Sequence, residues 1–103
     1  MTKWFSKWKG SPIAYSTPGQ EWAKIVPRLH DAVKAGMDSG VVKDWAEFVG
    51  SGEGYMVWEG SEMQVGADIS KYRPYISFEA IVPLISLAQA IENTRKRAAA
   101  ASR

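Results

Sequence analysis

The sequence predicts one α+β domain, in which four strands and two main helices alternate and a further helix follows. Its length of 103 residues is that of a single domain, and 46% apolar residues are enough to form one hydrophobic core. Stretches with the two-residue period of strands alternate with stretches of helical period. The resulting order of elements is βαββαβ with an extra C-terminal helix.

The first strand is predicted over residues 2–9, where aromatic residues and lysines alternate. Trp4, Ser6 and Trp8 should point to one side of this strand, and Phe5 to the other. The Gly-Ser-Pro sequence that follows should end the strand.

The first helix is expected to begin at Thr17, a good N-cap residue, with Gln20 at the capping-box position. Pro27 should kink this helix or make it locally irregular, and Gly36 or Gly40 should end it. Its buried side is predicted from the apolar residues at helical spacing: Trp22, Ile25, Val26, Leu29 and Val33.

A β-hairpin is predicted after this helix, with strands over residues 41–49 and 55–59 and a glycine-rich connection at 50–54. That connection lacks the lysine and the strand-to-helix context of a phosphate-binding loop. We therefore interpret it as a flexible hairpin.

The second main helix should begin at Ser61, which forms a capping box with Gln64. A fourth strand is predicted over residues 75–83, and Ser86 should cap the last helix. The buried side of the second helix is expected to carry Val65, Ile69 and Tyr72.

This order of elements is the split βαβ pattern of the ferredoxin-like fold, in which both main helices cover the same face of a four-stranded sheet. In the fourth strand, the more apolar set should face the helices: Ile76, Phe78, Ala80 and Val82. The alternate set should face away from them: Tyr75, Ser77, Glu79 and Ile81.

The fourth strand also carries a family resemblance. The sequence Ile-Ser-Phe-Glu-Ala-Ile-Val-Pro-Leu at 76–84, followed by Ser86 and Ala88, resembles the end of an uncharacterised family, domain-of-unknown-function 3303. The sequences Asp-Trp-Ala-Glu at 44–47 and Trp-Glu-Gly-Ser at 58–61 are also similar to it. The resemblance implies a ferredoxin-like domain over residues 1–92 that pairs as a dimeric α/β barrel, and it brings no established activity. Residues 93–103 are then a basic, alanine-rich helix end.

The face of the sheet that the helices leave uncovered is not plainly polar, and the chain has 12% aromatic residues. Contiguous apolar surface usually marks an interface or a binding groove, so we expect a homodimer in which two sheets pack face to face. Such a barrel often encloses a small-molecule pocket, whose lining we predict from polar and aromatic strand residues: Trp45, Glu47, Glu59, Tyr75 and Glu79. The alternative is that these glutamates pair with lysines across the strands.

His30, the only histidine, flanks the apolar stripe of the first helix and is a further candidate for the pocket. A helical histidine could ligate haem iron, although a lone histidine beside a helix core is more often structural. No cluster of residues has the spacing of a metal site or of a catalytic triad. We therefore predict no catalytic residue, no metal and no cofactor.

The composition also bears on partners and compartment. Cysteine is absent, which excludes disulfides, thiolate nucleophiles and zinc–thiolate sites. The start of the chain lacks the apolar region of a signal peptide, and no apolar run is long enough to span a bilayer, so we expect a soluble, cytoplasmic protein.

Nucleic acid is not the favoured partner, because residues 1–91 carry nine basic and ten acidic residues. The remaining basic residues lie in the tail: Arg95, Lys96, Arg97 and Arg103. Sheet aromatics could still stack on bases, with Trp4, Trp8, Tyr55 and Trp58 on neighbouring strands.

The sequence thus favours a homodimeric small-molecule-binding protein or accessory subunit. One alternative is a cofactor-independent or haem-using monooxygenase-like enzyme that uses Glu79, Trp45 or His30. The other is an RNA-binding or protein-assembly module that uses the basic tail.

Overall fold

An antiparallel β-sheet forms the centre of the fold in a computed structural model, which describes residues 1–101. The elements are β1 (Lys3–Gly10), α1 (Pro12–Ser16), α2 (Gly19–Ser39), β2 (Val42–Glu47), β3 (Glu53–Glu59), α3 (Glu62–Ser70), β4 (Ile76–Phe78), β5 (Val82–Leu84) and α4 (Leu87–Ala101). The strand order is β2-β3-β1-β4, every pair is antiparallel, and β5 pairs with β1 beyond the end of β4. The predicted α+β class is confirmed.

Three of the predicted helix ends are confirmed. Ser61 and Gln64 form the reciprocal capping box at the start of α3. Gly40 ends α2 with a φ of 85°, a left-handed conformation that glycine adopts without a steric cost. Ser86 also caps α4, since its hydroxyl accepts a hydrogen bond from the Gln89 amide at 3.1 Å.

The predicted cap of the first main helix is wrong. The Thr17 hydroxyl donates to the Ile13 carbonyl at 2.6 Å, so it belongs to the end of α1, a short helix that the sequence analysis did not include. Ser11 caps α1 and also donates to the Pro74 carbonyl at 2.6 Å, which ties this turn to the start of β4. The long helix α2 begins at Gly19 and continues through Pro27.

The fourth strand is divided, whereas the sequence predicted one strand over residues 75–83. Trp8 pairs with Phe78, and an unbroken register would place Ile81 opposite Phe5, but the observed partner of Phe5 is Val82. One extra residue therefore lies between β4 and β5, and it reverses which side chains face the helices. The prediction holds for Ile76 and Phe78 and is wrong for Val82, which shares the open face with Phe5.

A second irregularity lies in β2. Val42 pairs with Trp58 but Asp44 pairs with Val57, so Lys43 is the extra residue of a β-bulge. The sequence left open which side of this strand is buried. The bulge places Val42 and, beyond it, Trp45 on the same face.

The hydrophobic core lies between that face of the sheet and the helices α2 and α3. Trp58 is fully buried at 0% exposure, and Trp4, Leu29 and Phe78 pack around the core as partly buried residues. The buried members are Trp8, Val33, Val42, Met56, Trp58, Val65, Ile69 and Tyr72. The predicted buried side of α3 is therefore confirmed.

Helix α4 lies outside this core and buries none of its side chains. Leu87 and Ile91 are exposed, and the molecule extends 65 Å along its longest axis against 26 and 22 Å along the others. The predicted tail residue Arg103 lies outside the described residues. Within residues 1–101, no helix combines the length and the apolar composition needed to cross a bilayer.

Candidate functional site

A cavity of about 290 Å³ lies between the first half of α2 and the sheet. It is open on one side. Its lining consists of Trp8, Gly10, Trp22, Val26, Leu29, His30, Val33, Trp45, Glu47, Gly52, Met56, Tyr72, Ile76 and Phe78. We refer to it as the aromatic pocket, because three of the five tryptophans of the chain contribute to it.

The packing of α2 explains why the pocket lies at its N-terminal half. Near the C-terminal end of α2, Gly36 is buried against Val42, where even a Cβ atom would overlap the valine side chain. Toward the other end, Trp22 and Leu29 are only half-buried. The helix is therefore close to the sheet at one end and leaves space beneath it at the other.

Gly54 shapes the floor of the pocket. It pairs with Trp8 across β1 and β3, and a Cβ atom on Gly54 would meet the Trp8 ring. Without that Cβ atom, the Trp8 indole lies over the strand and stacks on Trp45, with ring centroids 5.5 Å apart and planes 13° apart. This pair gives the pocket a flat aromatic wall.

Besides Tyr72, two ionisable side chains line the pocket, and both are exposed. His30 lies edge-on to Trp45, with ring centroids 6.0 Å apart. Glu47 follows two residues after Trp45 on β2, so both point to the helix-covered face. Within residues 1–101, neither ionisable side chain has a hydrogen-bond or ion-pair partner in the protein.

Tyr72 connects the pocket to a buried carboxylate. Its hydroxyl donates to Asp68 Oδ2 at 3.3 Å, and the Trp58 indole N–H donates to the same oxygen at 2.9 Å. Burial raises the pKa of Tyr72 above its usual value, and the charge of Asp68 adds to this effect. Tyr72 is therefore neutral over the physiological pH range.

Of the six residues that the sequence predicted for the pocket, the structure brings three together: His30, Trp45 and Glu47. The pocket lies on the helix-covered face, whereas the sequence analysis placed it on the uncovered face. The bulge in β2 contributes to this difference, because it turns Trp45 and Glu47 toward α2.

The other three candidates lie elsewhere. Glu59 pairs with Lys3 across the strands on the uncovered face, and its carboxylate is 4.0 Å from Lys43 Nζ, as the alternative of cross-strand pairing predicted. The Tyr75 ring meets Trp22 edge-on at 6.0 Å, outside the pocket lining. Glu79 is exposed after β4, where only its backbone bonds to β1.

Sequence reasoning assigned several lining residues to the core instead. Trp22, Val26, Leu29 and Val33 follow helical spacing, which predicts a buried stripe but does not distinguish contact with the sheet from contact with a cavity. One signal could have indicated the cavity: the stripe begins with Trp22, and a residue as large as Trp is rarely fully buried.

The four sheet aromatics considered for base stacking do not form one exposed platform. Trp8 and Trp58 are buried under the helices, and Trp4 faces the same way, with its indole N–H bonded to the Gly60 carbonyl at 3.0 Å. Tyr55 alone of the four lies on the uncovered face.

A second depression, of about 330 Å³, lies where α3 meets the loop between β4 and β5. Its lining is Trp4, Glu62, Val65, Gly66, Ile69 and Ile81. It has a single ionisable side chain and one aromatic ring, so it has fewer groups with which to select a ligand than the aromatic pocket.

The uncovered face of the sheet carries its own aromatic group. Tyr55 stacks on Phe5 with centroids 5.8 Å apart and lies 6.4 Å from Phe48. The Tyr55 hydroxyl donates to Asp44 Oδ2 at 2.6 Å, and this hydrogen bond raises the pKa of Tyr55. Exposed apolar residues of β5, Val82 and Leu84, continue this surface.

In the described part of the chain, no three His, Cys, Asp or Glu side chains are close enough to hold a metal ion. Comparison with known proteins finds no family model that matches the chain and no curated protein that is significantly similar to it. The pocket geometry is therefore the basis for a functional proposal.

Proposed function

We propose that this protein binds a small molecule in the aromatic pocket. The observation that carries the proposal is the coincidence of a ring-lined cavity with two ionisable groups, His30 and Glu47, that lack protein partners within residues 1–101. Ligand sites are typically apolar clefts in which a few polar groups fix the orientation of the ligand. The cavity volume of about 290 Å³ is at the lower end of the usual range of about 300–1,000 Å³.

The test is a variant that fills the pocket. Val26 lines the cavity from α2, and Val26→Trp would place an indole inside it. We expect the wild type, but not this variant, to co-purify with a small molecule detected by native mass spectrometry, or to be stabilised by members of a metabolite library. Ala23→Trp, on the exposed side of the same helix, is the matched control and should behave as the wild type does.

Two results would contradict the proposal. One is a wild-type protein that co-purifies with nothing and is stabilised by no compound. The other is a set of compounds that stabilise the wild type and Val26→Trp equally, because binding would then occur outside the pocket. Circular dichroism of both variants separates loss of binding from loss of fold.

We also propose that the domain is ferredoxin-like and forms a homodimer through its uncovered sheet face, as expected from the resemblance to the domain-of-unknown-function 3303 family. The strand order β2-β3-β1-β4 supports the ferredoxin-like topology. The surface formed by Phe5, Phe48, Tyr55, Val82 and Leu84 supports the dimer, because such patches are uncommon on monomers.

A further inference from the structure

The ring-bearing residues of the aromatic pocket differ in how their polar atoms are used. The Trp8 indole N–H donates to the Tyr55 carbonyl at 3.2 Å, and the Tyr72 hydroxyl donates to Asp68. These two side chains therefore present apolar ring surface to a ligand and no free donor.

Other groups around the pocket keep free hydrogen-bonding capacity. Glu47 has a carboxylate with no protein donor in the described part of the chain, and an ionised carboxylate only accepts hydrogen bonds. The His30 imidazole and the indole N–H groups of Trp22 and Trp45 also have no protein hydrogen-bond partner among residues 1–101, so each can donate to a ligand. A ligand that matches this pattern donates one hydrogen bond and accepts another.

The size and shape of the cavity indicate how much of a ligand it can enclose. A dry cavity of about 150 Å³ accommodates one benzene ring. The pocket, at about 290 Å³, has roughly the volume for two fused rings. The Trp8 and Trp45 indoles stack on each other and both line the cavity, so a flat aromatic molecule has the shape that extends this stack.

We propose that the aromatic pocket binds a flat, bicyclic aromatic molecule that carries a hydrogen-bond donor, a hydroxyl or an amine, which donates to Glu47. This inference rests on the proposed function and names its ligand class. A hydrogen bond to a charged group is stronger than one between neutral groups, so the donor should contribute measurably to affinity.

The test compares naphthalenes that differ in one substituent: 2-naphthol, 2-aminonaphthalene, 2-methoxynaphthalene and 2-naphthoate. Binding to the full chain is measured by calorimetry at neutral pH. We expect 2-naphthol or 2-aminonaphthalene to bind at least about tenfold more tightly than 2-methoxynaphthalene, which has no donor. The anionic 2-naphthoate, which has no donor for Glu47, should bind less tightly than 2-naphthol.

Glu47→Met keeps the length of the side chain and removes its carboxylate, so it should abolish the difference in affinity between the compounds that carry a donor and 2-methoxynaphthalene. Glu53→Met is the matched control: it removes the same charge from the other face of the same hairpin and should leave the preference intact.

Equal affinities for the four compounds, or tightest binding of 2-naphthoate, would overturn the inference about ligand class. Another outcome is a wild type that binds none of the naphthalenes and yet co-purifies with a ligand that Val26→Trp lacks. That result would overturn the ligand class and leave the proposed function standing. If no ligand bound to the wild type and failed to bind to Val26→Trp, both the ligand class and the proposed function would be wrong.

Discussion

Asp68 is 2% exposed, so its carboxylate is buried in the core between α3 and the sheet. One carboxylate oxygen accepts hydrogen bonds from Trp58 and Tyr72. The other oxygen, Oδ1, receives no hydrogen bond but lies 3.6 Å from Lys71 Nζ. Asp68 therefore forms an ion pair with an ammonium group at the surface. Burial of a carboxylate is tolerated only with such partners.

The raised pKa of Tyr72 predicts a loss of stability in alkali. The folded protein holds the phenolic proton at pH values where the unfolded chain, with a pKa of about 10, has released it. The unfolded state then binds fewer protons, so the free energy of unfolding falls as the pH rises above about 10. Tyr72→Phe should make this fall less steep in urea unfolding followed by tryptophan fluorescence.

At neutral pH the same variant should lose about 0.5–1.5 kcal/mol, because it lacks the hydrogen bond to Asp68. Tyr15→Phe is a suitable control, since Tyr15 is exposed and its hydroxyl has no such bond among residues 1–101. A fall in stability equally steep in Tyr72→Phe and in the wild type would show that another group causes it.

A second prediction concerns two glycines inside helices, Gly36 in α2 and Gly66 in α3, which differ in the space available for a Cβ atom. A Cβ atom on Gly36 would overlap Val42 and lie 3.2 Å from Asp68 Oδ1, whereas one on Gly66 would meet nothing within 4 Å. We expect Gly36→Ala to lower the free energy of unfolding by about 1–3 kcal/mol through overpacking. Gly66→Ala should raise it by up to about 1 kcal/mol, the usual gain from alanine in a helix.

The measurement is chemical unfolding of both variants under the same conditions. If both substitutions stabilised the protein, α2 would not lie as close to β2 as the structure places it. The origin of the aromatic pocket, in a helix that is close to the sheet at one end only, would then need another explanation.

At the scale of elements, the sequence predicts the ends of helices from local residues, but it does not predict the register of the strands. The capping box at Ser61 depends on neighbouring residues alone and was predicted. A glycine stop of α2 was predicted at Gly36 or Gly40, and the structure has it at Gly40. The bulges at Lys43 and between β4 and β5 depend on pairing with strands far along the chain. The bulge at Lys43 places Trp45 and Glu47 on the helix-covered face, whereas the predicted pocket had them on the uncovered face. Alternation along this strand alone left its facing open.

Thr17 is an instructive error of the same kind. Its residue type and spacing are those of an N-cap, but Ser11 caps the start of α1 and the Thr17 hydroxyl donates to the Ile13 carbonyl at the end of that helix. Ser11 is held there by its bond to Pro74, 63 positions away. A contact of that range has no signature in the local sequence.

The exposure of α4 predicts that it contributes little to the stability of the domain. Because α4 buries no side chain, a chain that ends at Ile91 should keep the free energy of unfolding within about 0.5 kcal/mol of the wild type. A chain that ends at Glu79 is the contrasting variant, since it also lacks β5 and leaves Lys3 to Phe5 unpaired on that edge. We expect it to be much less stable in the same urea titration.

A large loss in the chain that ends at Ile91 would contradict this picture. It would mean that Leu87 and Ile91, or the helix beyond them, cover apolar surface in solution. Repeating the titration at several protein concentrations would reveal whether that surface belongs to a second copy.

At the scale of the whole molecule, the two faces of the sheet have different surroundings. The face toward α2 and α3 carries the core and the aromatic pocket, and its side chains pack against the helices. The other face carries a ring cluster of Phe5, Tyr55 and Phe48 without a covering layer within residues 1–101. Lysines of β1 and Glu59 of β3 border this cluster, so two copies related by a two-fold axis can place opposite charges against each other.

The proposed dimer gives the last prediction. Val57 is half-buried on β3, where it pairs with Phe5 on the uncovered face. Val57→Lys would place a charge in the centre of the dimer interface, where it would be buried without a partner. We expect light scattering at micromolar concentration to give twice the chain mass for the wild type and the chain mass for Val57→Lys.

Val49→Lys is the matched control, because Val49 is 104% exposed at the tip of the hairpin and should tolerate the charge. A wild type that is monomeric at these concentrations would refute the dimer. If both lysine variants stayed dimeric, the interface would lie away from the sheet, and the exposed surface of α4 would be the next place to substitute. Because the aromatic pocket lies on the opposite face, Val57→Lys should still bind the ligand of the wild type, and the two proposals can be tested independently.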